Sequence, residues 1–228
     1  MFKVLCVDPP WKFRDKLPGA KRGAERNYPC LTRRELMRFP LPPMAPDCVL
    51  FMWRVAAMQR DALDVIDAWG FEPKTDLVWL KKTEHGERWF GMGRTLRAEH
   101  ETCILATRGR PVVKNHSTRS TFVTDWAGLS AQAGRHSEKP EKFYEIVEGL
   151  FDGPYCEMFA RRERPGWTTF GNELTQARSW LDEDVMQMLR NSGVDVECGA
   201  CMEVAFTGVT LSPHTCASYK LPIVEVTQ

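Results

Sequence analysis

Short apolar runs alternate with amphipathic stretches along most of this chain. Phe2–Val7, Asp47–Trp53, Asp76–Leu80, Thr102–Thr107 and Tyr155–Ala160 are compact apolar runs of strand length. Between them, Ala56–Trp69 places Met58, Ala62, Leu63, Val65, Ile66 and Trp69 at helical spacing and stops at Gly70, a C-terminal cap signal. Pro140–Leu150 reads as a second helix, with Pro at its first position and Phe143, Ile146, Val147 and Leu150 on one face. Gln176–Leu189 predicts a third, whose stripe of Ala177, Trp180, Leu181, Val185 and Leu189 suits core packing. Strands in alternation with helices predict an α/β fold with a largely parallel sheet. Such sheets bind ligands beyond the carboxyl ends of their strands, where Asp8 and Arg161 stand.

Length and charge narrow this picture. A chain of 228 residues buries a full core as one large domain with room for an appendage. The net charge of +1 conceals an asymmetry, because residues 173–228 carry eight acids against three bases. The bases of the remainder cluster in predicted loops: Lys12, Arg14, Lys16, Lys21, Arg22 and Arg26; Arg88, Arg94 and Arg97; Arg108, Arg110, Lys114 and Arg119. Basic loops gathered on one face suit a polyanion, and solvated loops without a partner are the plainer alternative. Eight mostly scattered cysteines and the lack of a signal-peptide apolar region lead to an expectation of a reducing cytoplasm. No apolar run approaches the ~20 residues of a membrane-spanning helix, so no membrane partner is expected.

The run Asp8-Pro9-Pro10-Trp11 directly follows the first strand. An exocyclic amine on a nucleobase is a poor nucleophile, because its lone pair is delocalised into the ring. A carboxylate and a proline carbonyl that each accept one amine hydrogen let the nitrogen pyramidalise towards an in-line methyl donor. Proline fixes φ and lacks an N–H, while Trp11 offers an aromatic wall, so the four residues read as a socket for adenine. An ordinary proline turn ending a strand is the competing reading. Further on, Lys139 of His136-Ser137-Glu138-Lys139-Pro140 precedes a helix whose dipole it opposes, which points to an anion such as a ligand carboxylate. A solvated lysine beside a Ser137 cap is the alternative. Asn172 and Glu173 fit a helix cap with a first-turn acid, and equally fit a pair gripping ribose hydroxyls.

Together these segments resemble the S-adenosylmethionine-dependent adenine-N6 methyltransferases of the DPPW type, the family of the eukaryotic messenger-RNA adenosine methyltransferase catalytic subunit and of small bacterial and phage enzymes. The resemblance runs in order through Asp8-Pro9-Pro10-Trp11, Tyr28-Pro29-Cys30-Leu31-Thr32 with Glu35-Leu36, Leu50-Phe51-Met52-Trp53 and Trp69-Gly70-Phe71. It continues through Trp79-Leu80-Lys81-Lys82-Thr83, Gly91 and Gly93-Arg94, His100-Glu101 with Cys103-Ile104-Leu105, His136 to Pro140, Glu157 to Arg161, and Gly166-Trp167 to Gly171-Asn172-Glu173.

The resemblance implies a Rossmann-like class I methyltransferase sheet with permuted, β-class motif order, spanning residues 1–174. The catalytic strand comes first and the cofactor strand late. It implies that Asp8 and the Pro9 carbonyl hold the target amine, with Pro10 and Trp11 completing the catalytic run and Asp8 also near the cofactor. Lys139 pairs with the carboxylate of S-adenosylmethionine, Arg161, Asn172 and Glu173 hold its ribose, and Phe159 lies along it. Trp11 and Tyr28 wall the base pocket, and Arg14, Lys16, Arg22 and Arg26 belong to a mobile substrate loop. A buried target base implies base flipping or a single-stranded substrate. The leading expectation is methylation of DNA; RNA, or a catalytically silent nucleic-acid-binding subunit, are the alternatives, and no protein partner is identified. Gly91-Met92-Gly93 lacks the third glycine and the helix of a dinucleotide fold, which removes an oxidoreductase.

Residues 175–228 fall outside the resemblance and are expected to form a small appendage of one helix and a Cys-rich β segment. Cys198 and Cys201, with His214 and Cys216, are candidate ligands of a structural zinc. Reduced thiols are the alternative, since the one-residue gap between His214 and Cys216 is unusual for zinc.

Overall fold

The computed structural model describes residues 1–12, 30–83, 85–91, 95–124, 139–171 and 174. Its elements in chain order are β1 (Phe2–Val7), α1 (Arg33–Met37), β2 (Met44–Arg54), a 3-10 turn (Ala56–Met58), α2 (Gln59–Ala68), β3 (Glu72–Lys81), β4 (His100–Arg108), β5 (Thr121–Thr124), α3 (Glu141–Leu150), β6 (Tyr155–Met158) and β7 (Trp167–Phe170). The strands form one sheet in the order β5-β3-β4-β2-β1-β6-β7. Strand β1 pairs in parallel with both β2 and β6, β6 with β7, and β3 with β5. Strand β4 is antiparallel to both of its neighbours. The expected α/β, largely parallel sheet is therefore present, and its one reversed strand, β4, makes it mixed.

Both faces of the sheet are covered, which is why the central strands are continuous apolar runs. On one face Leu5 and Val7 of β1, Leu50 and Met52 of β2 and Met158 of β6 pack with Ala62, Val65 and Ile66 of α2 and Leu36 of α1. On the other, Val4, Cys6, Val49, Phe51 and Trp53 pack with Phe143, Tyr144 and Val147 of α3. Helix α2 ends as expected at Gly70, whose φ of 74° places it in the left-handed region. The Gly70 N–H donates to the Asp67 carbonyl and the Phe71 N–H to the Ile66 carbonyl, a Schellman arrangement. Pro140 is the N-cap of α3, one position earlier than its sequence reading.

Three elements were not anticipated. Helix α1 carries a capping box in which Thr32 and Glu35 bond each other's backbone N–H. Strands β5 and β7 have four residues each, too short for periodicity to reveal them. They exist because β3 and β6 supply partners.

The reversed strand also redistributes charge. Strand β4 begins at the edge where β1 ends, and carries the chain to the opposite edge, since Cys48 pairs with Arg108 and Arg54 with Thr102. Arg108 thus lies at the far end of the sheet, and Lys114 beyond it pairs with Asp152 after the end of α3. The expectation of basic loops gathered around a single face is corrected: the cluster beginning at Arg108 leaves the edge that carries Asp8, while Arg88 and Arg97 remain on that side.

Candidate active site

The site is built on the edge where β1, β2, β3 and β6 end. Asp8 follows β1, and the turn after it is fixed by a closed set of hydrogen bonds. The Trp11 N–H donates to the Pro9 carbonyl at 2.8 Å, the Leu31 N–H to the Pro10 carbonyl at 2.8 Å, and the Lys12 N–H to the Leu31 carbonyl at 3.0 Å. Neither proline has an N–H to leave unpaired. The Trp11 indole N–H donates to the Trp53 carbonyl at 3.1 Å. Trp11 is 4% exposed, so in this arrangement it supports the turn from the core. The Pro9 carbonyl keeps one lone pair beyond its bond to Trp11.

Lys139 reaches this turn from across 131 positions of sequence. Its Nζ lies 2.7 Å from Asp8 Oδ2 and 3.3 Å from Glu101 Oε2, and 5.1 Å from the centre of the Trp53 ring. With a side chain 5% exposed, it is not a solvated lysine. The unfavourable helix dipole is offset by two carboxylates. Glu101 in turn pairs with Lys81, the last residue of β3. An alternating chain of charges, Lys81, Glu101, Lys139 and Asp8, therefore crosses the sheet edge. Burial opposes the charge of Glu101, but Lys139 and Lys81 outweigh it and hold its pKa down at about 2. Burial likewise opposes the charge of Lys139, and Asp8 with Glu101 overcomes this and raises its pKa above the ordinary lysine range.

Neither Glu101 nor Lys81 has a role that sequence reasoning assigns. The only signal was their presence in the ordered motifs, because a glutamate at a strand start has no reading until the strand's direction is known. Reversal of β4 is what delivers Glu101 here: it pairs with Trp79 near the end of β3.

A second polar cluster sits at β6. Glu157 is half-buried and accepts a hydrogen bond from the Tyr144 hydroxyl at 2.6 Å. Burial pushes its pKa up to about 7, against the lowering effects of Tyr144 and Arg164. The Arg164 guanidinium lies 3.4 Å from the centre of the Tyr144 ring and pairs with Glu141. Phe159, just past β6, adopts φ of 60°, a conformation that costs a bulky residue on the order of 1–3 kcal/mol and clusters at functional sites. Its ring packs 5.0 Å from that of Phe39. The Ala160 N–H donates to the Phe170 carbonyl at 2.8 Å, and a Cβ on Gly171 would lie 1.9 Å from the Ala160 carbonyl oxygen. Only glycine fits there, so Phe159, Ala160 and half-buried Arg161 are held against the end of β7.

Asp8, Pro9, Pro10, Trp11 and Lys139 thus meet at one edge, and Phe159 and Arg161 follow β6, the parallel neighbour of β1. Tyr28, Arg14, Lys16, Arg22, Arg26, Asn172, Glu173, Cys198, Cys201, His214 and Cys216 lie outside the described residues. Among the described residues no group of three or more His, Cys, Asp or Glu side chains could hold a metal ion, and no helix is long and apolar enough to cross a membrane.

Comparison with known proteins matches the sequence to a family. Residues 2–173 match the MT-A70 family model. The chain is 29% identical over 191 residues to the human N(6)-adenosine-methyltransferase catalytic subunit METTL3, covering 81% of this chain and 30% of that protein. It is 28% identical over 192 residues to the type II methyltransferase M.MunI of a Mycoplasma species, covering 76% of this chain and 78% of that protein. Human N(6)-adenine-specific methyltransferase METTL4 is 28% identical over 183 residues, with 76% of this chain and 37% of that protein covered. The chain thus spans about 30% of the METTL3 protein's length. With a matching model over most of its length, a mixed α/β sheet and a DPPW turn at the edge that carries Lys139, this chain belongs to the MT-A70 family.

Proposed function

We propose that this protein transfers a methyl group from S-adenosylmethionine to the N6 amine of adenine in DNA, with Asp8-Pro9-Pro10-Trp11 as the amine socket. The observation that carries the reading is the 2.7 Å contact between Asp8 and Lys139. It joins the two segments that the chemistry requires to meet.

The donor set fits the cofactor. Lys139 supplies a buried cation for its carboxylate, Asp8 an acceptor beside its amino group, and Arg161 a donor near its ribose. When bound, the cofactor supplies an activated methyl on a sulfonium. The rest falls to the chain: the free lone pair of the Pro9 carbonyl and the Asp8 carboxylate accept the two amine hydrogens, turning the nitrogen lone pair outward. The turn holding both acceptors is locked by the bonds to Leu31 and Trp53, so little reorganisation accompanies reaction. Glu101 also holds Lys139, keeping the ammonium at the edge while Asp8 turns to the amine. Once methylated, the nitrogen is cationic and acidic, and its proton would pass to the adjoining Asp8 carboxylate and from there to solvent, so no strong base is needed.

DNA is preferred because the chain matches most of the length of type II methyltransferase M.MunI and only a fraction of METTL3. The test offers isotopically labelled S-adenosylmethionine with single- and double-stranded DNA and RNA and identifies the product by mass spectrometry. N6-methyladenine in DNA is expected; label in RNA alone would replace the substrate, and no label in either would overturn the reading. Asp8→Ala is expected to abolish transfer while leaving cofactor affinity within roughly tenfold.

A further inference from the structure

Between β3 and β4 the chain forms an arm off the catalytic edge. Its base is a tight hairpin: Lys82 and Arg88 form an antiparallel bridge, and the Thr83 N–H donates to the Glu87 carbonyl at 2.9 Å. The Trp89 N–H returns to the Lys81 carbonyl at 3.1 Å, and the Gly91 N–H closes onto the Ala98 carbonyl at 3.0 Å. A Cβ at Gly91 would lie 2.1 Å from that oxygen, so the closure depends on glycine. Arg88 is tied to Glu99. The described residues of the arm are thus pinned to one another, and the arm springs from Lys81, the first member of the charge chain that ends at Asp8.

Among the described residues at this edge, the arm carries the two most exposed large apolar side chains. Phe90 is 74% exposed and Leu96 82% exposed. The Arg97 guanidinium lies 4.9 Å from the centre of the Phe90 ring. An aromatic face beside a guanidinium is the combination that stacks a nucleobase and meets its phosphate. Two side chains on a narrow arm are far short of the area, about 1,000 Å², that a stable protein interface needs. Charge complementarity favours a polyanion.

We infer that Phe90 and Arg97 form a stacking platform for a nucleotide flanking the target adenine, so that the arm orients the substrate strand across the Asp8 edge. The inference rests on the nucleic-acid reading above, and names the residues that position the strand. A flipped or single-stranded target leaves its neighbours unstacked, and an aromatic platform beside the site restores a partner to one of them.

The test measures binding and turnover separately on the full chain. A single-stranded DNA oligonucleotide with 2-aminopurine beside the target adenine is titrated by anisotropy and by fluorescence quenching. Phe90→Ala is expected to weaken binding about tenfold and abolish the quench, Phe90→Trp to retain both, and Arg97→Ala to lower the slope of log affinity against log salt by about one. S-adenosylmethionine affinity by calorimetry and Tm should stay unchanged in all three. Unchanged oligonucleotide affinity and quench in Phe90→Ala would overturn the platform, as would a wild-type protein that binds no oligonucleotide. Loss of a dimer in Phe90→Ala by sedimentation would also overturn it, by making the arm a protein interface. Quenching in a wild-type protein that methylates nothing would sink the methyl-transfer reading and leave the platform standing.

Discussion

Replacing Lys139 by Met removes the one cation between two carboxylates, and the consequence is calculable. Asp8 and Glu101 are 22% and 26% exposed in their side chains, against 5% for Lys139. The pKa of Glu101 is held at about 2 against an ordinary 4.5, a gap equivalent to about 3 kcal/mol, part of it owed to Lys81. Breaking a buried pair by deleting one partner costs about 3–5 kcal/mol, and the two figures agree in scale. The sign with pH follows from the lowered pKa: the contribution of Glu101 is complete above its unfolded value of 4.5 and is lost as pH falls through about 2. In Lys139→Met, Glu101 loses one of the two cations that hold its pKa down and is expected to take up a proton well above that range, relieving its repulsion with Asp8. Urea denaturation followed by tryptophan fluorescence should then show a loss of about 3–5 kcal/mol at pH 8, shrinking to roughly half at pH 5. A loss under about 1 kcal/mol, or one independent of pH, would refute the charge chain.

Three further outcomes follow from the same geometry. Glu157, with its pKa raised to about 7, binds its proton more tightly in the folded state, so stability should fall by about 3 kcal/mol as pH rises from about 4.5 to above 7. Glu157→Gln should flatten that descent in a denaturation series, and an unaltered slope would remove Glu157 as its source. Gly171→Ala forces a Cβ to within 1.9 Å of the Ala160 carbonyl oxygen and should cost about 2 kcal/mol or more, with weakened cofactor binding through Arg161 as the second readout. Gly70→Ala meets nothing within 4 Å and is strained only by φ of 74°; it should cost about 1 kcal/mol with cofactor affinity unchanged by calorimetry.

Much of this protein is legible in the order of its residues. The strand Phe2–Val7 has its observed bounds, the helix before Gly70 ends where its glycine requires, and Phe143 and Val147 of α3 are buried as their spacing predicts. These features are set by local chemistry: burial on two faces makes a continuous apolar strand, and a left-handed residue ends a helix. The tetrapeptide after β1 and the lysine before α3 were also readable, because each residue type was out of keeping with a merely structural role. Helix α1 was within reach through Thr32 and Glu35, whose three-residue spacing is a capping box.

What the tertiary structure decided is direction, partnership and burial. Strand direction is not encoded within a strand, so the reversal of β4 emerged only with the assembled sheet; it brings Glu101 to Lys139 and sends the basic segment from Arg108 away from the site. Strands β5 and β7 owe their existence to neighbours supplied by distant sequence. The raised pKa of Glu157 and the lowered one of Glu101 belong to two residues of the same type, and only their surroundings differ: one sits against a tyrosine hydroxyl, the other lies between two lysines. Local sequence fixes which backbone shapes and side-chain chemistries are available, whereas pairing and dielectric are properties of residues far apart in the chain, and they come into being only when it folds.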